Sequence, residues 1–109
     1  MIPFGTSVQC RLILVIDDDY DTQEMLRDRL NAMGFGVVAA DSGHHGLALI
    51  GDQASKGCRI DGILLNWKMS GAGGMTVLQK LHEQHAEVPV IIMTALSHIH
   101  RIDWLEDMM

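Results

Sequence analysis

Apolar residues fall in short runs separated by polar punctuation, and the spacing within each run changes from one to the next. Residues 11–16, RLILVI, are apolar and β-branched almost throughout. Such a run suits a strand covered on both faces, as in a parallel sheet. It ends at Asp17-Asp18-Asp19. From Asp21 to Met33 the spacing becomes helical, with Met25, Leu26, Leu30 and Met33 on one stripe. Asp19 or Asp21 is suited to cap that helix, and Gly34 to end it in the left-handed conformation. A second strand is predicted over residues 35–40 and a second helix over 44–55, with Leu47, Ala48 and Ile50 facing inward. Gly46 and Gly51 lower the propensity of that helix. A third strand spans Gly62 to Leu65 and a third helix about 74–85, with Val77, Leu78 and Leu81 on its core face. PVIIM, from Pro89, forms the fourth strand and ends at Thr94. Ile99, Ile102, Leu105 and Met108 or Met109 then recur at helical spacing.

Strand and helix therefore alternate four times. Short connections and right-handed crossovers make this a doubly wound α/β parallel sheet. In such folds ligands bind at the carboxyl ends of the strands. Those ends carry Asp17-Asp18, Asp41, Asn66 and Thr94.

Composition narrows the function classes. A length of 109 residues suits one domain, and a 48% hydrophobic fraction is that of a globular chain. The net charge of −6 argues against non-specific nucleic-acid binding, which needs clustered Lys and Arg. No apolar run approaches the roughly 18 residues of a membrane helix, and the start shows no secretory pattern. Cytoplasmic residence is the expectation. Cys10 and Cys58 lie far apart with no CxxC, and they read as reduced thiols. Both precede strands that would be neighbours, so a bridge between them is the alternative.

Asp17 and Asp18 raise the first chemical question. Adjacent carboxylates at a strand end repel unless a cation lies near, and hard oxygen donors there suit Mg²⁺. The bland alternative is an acidic helix N-terminus that complements the helix dipole. Asp17, Asp19, Asp21 and Asp28 mimic an EF-hand loop, but Thr22 stands where that loop needs Gly. His82 and His85, one turn apart, and His98 and His100 lack a further ligand in register and read as solvated residues. Gly71, Gly73 and Gly74 have no following Lys and read as a strand-to-helix loop, not a phosphate cradle. Trp67 is expected to pack over the acidic pocket.

Three motifs in order, LILVIDDD, DGILLNWKMSGAGG and VPVIIMTA, resemble the receiver domain of bacterial response regulators. The resemblance implies a receiver-type (flavodoxin-like) sheet over residues 11–109, after an extension of residues 1–10. It also implies a two-component phosphorelay module. Asp17, Asp18, Asn66 and the backbone carbonyl of Lys68 would hold Mg²⁺, and Thr94 would act as the switch. Asn66 stands at the phosphoacceptor position, where the family has Asp. Ser70 stands where the family usually has Pro, and Gly73-Gly74 where it usually has Asp-Gly. The family's fifth strand, fifth helix and phosphoryl-pairing Lys have no counterpart before Met109.

The expected function is thus a degenerate receiver that acts through protein–protein interaction, with a histidine kinase or another signalling protein as partner. Loss of cover on the sheet also predicts a homodimer or a domain swap. One alternative is an ordinary phosphoaccepting regulator changed from Asp to Asn, or a fragment of one. Another, of a different class, is a small Mg²⁺-dependent phosphohydrolase using Asp17.

Overall fold

The computed structural model describes residues 11–68 and 74–93. Within them the chain runs β1 (Leu12–Ile16), α1 (Tyr20–Ala32), β2 (Gly36–Ala40), α2 (Gly43–Ser55), β3 (Ile60–Asn66), α3 (Gly74–Gln84) and β4 (Val90–Met93). The four strands form one parallel sheet in the order β2-β1-β3-β4. This is the receiver-type, flavodoxin-like α/β fold that the motif order implies. The helix predicted beyond Thr94 lies outside the described residues.

Local chemistry sets each boundary. Asp19 caps α1, its carboxylate accepting from the Thr22 N–H at 3.3 Å. Ser42 caps α2 in the same way, accepting from His45 N–H at 3.1 Å. Both helices end in the same paired hydrogen-bond pattern. Gly34 N–H donates to Asn31 and Phe35 N–H to Leu30, while Gly57 N–H donates to Ala54 and Cys58 N–H to Gln53. Gly34 (φ 95°) and Gly57 (φ 83°) supply the left-handed residue that this Schellman ending requires.

The core lies between the sheet and helices α2 and α3. Leu14, Ile16, Ile63, Leu65 and Ile92 from the strands pack with Ile50, Val77, Leu78 and Leu81 from the helices. One irregularity makes this possible. Leu12 pairs with Ile60 but Ile13 pairs with Gly62, so Asp61 is an extra residue in β3. The bulge flips the side-chain parity, and Ile60 and Ile63 both reach the same buried face. Asp61 turns to solvent, and its carboxylate accepts the Leu12 N–H at 2.9 Å.

Three core assignments from spacing need correction. The α1 stripe is not buried: Met25 and Met33 are exposed, Leu26 and Leu30 half-buried, and no residue of α1 is fully covered. In α2, Ala48 is exposed, and the buried positions are Gly43, Gly46 and Ile50. A Cβ on Gly46 would lie 2.6 Å from the Ile16 side chain, so this glycine lets α2 sit directly on β1. Finally, Cys58 is disulfide-bonded and not a free thiol. Cys10 lies outside the described residues. No helix among the described residues is long and apolar enough to cross a membrane.

Candidate functional site

β1 and β3 are hydrogen-bonded neighbours, with Ile16 opposite Leu65. The residues that follow these two partners, Asp17 and Asn66, therefore emerge side by side at the carboxyl edge of the sheet. The Asn66 amide nitrogen donates to Asp17 Oδ1 at 3.2 Å. The same oxygen accepts the Asp19 N–H at 2.9 Å, which folds the acidic loop back over the strand end. On the other side of the amide, Asn66 Oδ1 accepts the Lys68 N–H at 3.2 Å.

These contacts fix which way the amide faces. Turning it over would set its carbonyl oxygen against a carboxylate oxygen and its NH₂ against the Lys68 N–H. Both contacts would become repulsive. Asn66 thus presents a donor, not an oxygen, to the acidic residue beside it.

Asp17 is the buried charged residue of this region, at 4% exposure. Burial raises its pKa above the ordinary carboxylate value. The Asp19 backbone N–H and the Asn66 amide pull it back down in part, while the charges of Asp18 and Asp19 push it up. Asp18 and Lys68 are exposed and lie beside it in sequence and space along the rim.

Two further residues hold this edge, and spacing alone did not single them out for it. Gln23, on the first turns of α1, donates its amide to the Asp17 carbonyl at 2.6 Å and to the Ala40 carbonyl at 3.4 Å. Asp17 N–H also donates to Ala40 at 2.9 Å. The ends of β1 and β2 are thereby tied to α1. Gly74 opens α3 directly against Trp67, where a Cβ would lie 2.7 Å from the indole and 2.9 Å from the Trp67 carbonyl oxygen. Trp67 is half-buried against the core, and its N–H donates to Met93 at 2.8 Å. It packs beneath the rim, as expected of an aromatic residue following the strand. Only a glycine in the loop hinted at the close approach. Thr94, Ser70, Gly71 and Gly73 lie outside the described residues.

The chemistry available is that of two carboxylates and one amide. Asp17 and Asp18 suit a hard divalent cation through oxygen. Asn66 Oδ1 reaches such a cation only if the amide gives up its bonds to Asp17 and to Lys68. A neutral amide is also a far weaker nucleophile than the carboxylate it replaces. Among the described residues no cluster of three or more His, Cys, Asp or Glu is placed to hold a metal, which includes His82 and His85.

Comparison with known proteins agrees with this architecture. The profile of the response regulator receiver domain matches residues 13–106. The transcriptional regulatory protein CpxR of Klebsiella pneumoniae is 35% identical over 95 residues, covering 86% of this chain. The chain spans only 38% of that relative's length. A response regulator receiver domain protein from Clostridium thermocellum superposes with a TM-score of 0.69 at 29% identity, over 76% of this chain and 64% of that one. The response regulator TrrA of Thermotoga maritima, solved with Mg²⁺ and a beryllofluoride, gives 0.67 at 27% identity over 81% and 72%.

Proposed function

This chain belongs to the response regulator receiver domain family, and from that premise we propose that it is a receiver operated by binding, not by phosphorylation of its own side chain. As a receiver module of two-component signalling it stands in a class that interacts with histidine kinases. Receiver domains generally are not enzymes and generally bind Mg²⁺ at the phosphorylation site.

One observation carries the proposal: the side chain at the acceptor position is an amide that donates to Asp17. In a receiver with Asp there, two carboxylates would face each other and a cation would be needed between them. Here the amide neutralises that repulsion by a hydrogen bond. The acidic pair is partly satisfied without metal, and no acyl phosphate can form on Asn66. Asp17, Asp18 and the Lys68 carbonyl remain the groups that would hold Mg²⁺, with Asn66 Oδ1 as a fourth only after its amide turns. The cation would supply charge neutralisation at the rim; this chain's own residues orient and hold that rim.

Output then depends on a partner. We place it at β4, the outermost strand of the described sheet, where Ile91 is 60% exposed. Leu64 and Met93 lie half-buried beside it. A second copy of this chain is the occupant we favour, because an edge strand and an apolar patch are both covered by self-association. A strict monomer by light scattering at micromolar concentration contradicts that assignment.

The phosphorylation half of the proposal is tested with acetyl phosphate and Mg²⁺, read by intact-mass spectrometry. The chain should gain no phosphoryl group. An adduct mapped to Asn66 would refute it, and an adduct on Asp17 with turnover of phosphate esters would favour a phosphohydrolase.

A further inference from the structure

We propose that Cys10 and Cys58 form a disulfide that staples the N-terminal extension to the amino end of the sheet and opens under reducing conditions. Cys58 is disulfide-bonded, and Cys10 is the only other cysteine in the sequence. The strand register supplies the second argument. Leu12 pairs with Ile60 in adjacent parallel strands. Cys10 and Cys58 each stand two residues upstream of that pair. Continued along the strands, the register sets these two positions opposite one another on the face that Leu12 and Ile60 occupy. Neighbouring strands run about 4.8 Å apart. That lies within the roughly 4.4–6.8 Å Cα separation a disulfide spans.

The surroundings hold Cys58 in place for this. Its N–H is tied to the Gln53 carbonyl at 2.9 Å by the ending of α2, with Gly57 turning the chain just before it. Three residues later Asp61 accepts the Leu12 N–H and so pins β1 to β3 at the bulge. The start of β1 is therefore held beside the start of β3 whether or not the sulfurs are joined. This end of the sheet is opposite the edge that carries Asp17 and Asn66, so the proposal stands apart from the functional reading above.

The bond forms by two thiol–disulfide exchanges. One Cys thiolate attacks a sulfur of a small disulfide such as glutathione disulfide, releasing one glutathione and leaving a mixed disulfide. The second thiolate attacks the chain's sulfur and releases the second glutathione. The chain loses two electrons, and the glutathione disulfide gains them. A reducing cytosol keeps such a pair open, and an oxidising episode closes it. Closure restrains the unfolded chain across residues 10–58 and should raise Tm by about 10 °C.

The test equilibrates the purified chain with glutathione disulfide and digests it with trypsin without reductant. The expected product links residues 1–11 to residues 57–59, and dithiothreitol abolishes it. Tm should fall on reduction for the wild type and stay unchanged for Cys58→Ser. Cys10→Ser should show the same insensitivity, which covers the case where one variant folds poorly. Free thiols at both positions after oxidation would overturn the proposal. So would a linkage found only in covalent dimers on a non-reducing gel.

Discussion

β1 meets an aspartate at each of its ends, and the two behave in opposite ways. At its carboxyl end Asp17 is buried, surrounded by the charges of Asp18 and Asp19, and has its pKa raised by loss of solvent. At its amino end the carboxylate of Asp61 is exposed and accepts the Leu12 N–H, which the bulge in β3 leaves without a regular strand partner. The same side chain is a burden at one end and a clasp at the other. Burial decides between them: water screens and solvates Asp61, while Asp17 relies on two N–H groups for compensation. A charge retained where it costs stability marks the end of the sheet where chemistry was built.

The largest change expected comes from Asn66→Asp. It removes the amide donor and sets a second carboxylate against Asp17 Oδ1. Without metal the fold should lose about 2 kcal/mol, measured by urea unfolding. Millimolar Mg²⁺ should restore most of that loss, and acetyl phosphate should now add one phosphoryl group. If the variant is as stable as the wild type in EDTA, the repulsion argued for this edge is absent.

Gly74→Ala comes next. Its new methyl would press on the Trp67 indole and carbonyl, so α3 or the rim must shift. A loss of about 2 kcal/mol is expected, together with a change in tryptophan emission. An unchanged spectrum and stability would mean that the close approach of α3 to the rim is not a constraint.

Asp17→Asn sharpens the comparison directly. The pKa of Asp17 is raised in the fold, so its ionisation costs more there than in the open chain. The fold is free of that cost below the unfolded value of 3.8 and bears it fully once pH has passed the raised folded value. Removing the charge should therefore stabilise the protein by about 1 kcal/mol at pH 7. The gap between variant and wild type should close as pH falls toward the unfolded value. A variant that is less stable at neutral pH would show that the two N–H bonds outweigh the burial.

How far the sequence disclosed this arrangement differs along the chain. Strands announced themselves, because residues apolar on both faces have few other uses: 11–16, 35–40 and 89–93 each overlap an observed strand to within one or two residues. β3 is longer than expected at both ends, since Asp61 and Gly62 look like punctuation and are in fact a bulge within it. Helix α3 showed its buried face by spacing alone. α2 misled, because Gly43 and Gly46 weaken an isolated helix but permit contact with Val77 and Ile16 in the packed one. α1 misled in the other direction: its apolar stripe rests on the sheet without being closed over. At the site, the order of motifs brought Asp17 and Asn66 together correctly. Which atom of the amide faces Asp17 is set by the Lys68 N–H, a backbone group that no residue pattern encodes.

The smallest effect expected tests the amino end. Asp61→Ala deletes the acceptor for the Leu12 N–H, which then relies on water at an exposed position. A charge-assisted bond at the surface is worth about 0.5–1 kcal/mol, so the loss should be of that size and opposite in sign to Asp17→Asn. Asp61→Asn keeps an acceptor oxygen and should recover part of the loss. Hydrogen exchange gives the local readout: the Leu12 amide should lose protection in Asp61→Ala while amides of Leu14 to Ile16 keep theirs. If both aspartates instead prove stabilising, burial is not what separates them. The claim that the functional edge carries a charge at a cost would then fail with it.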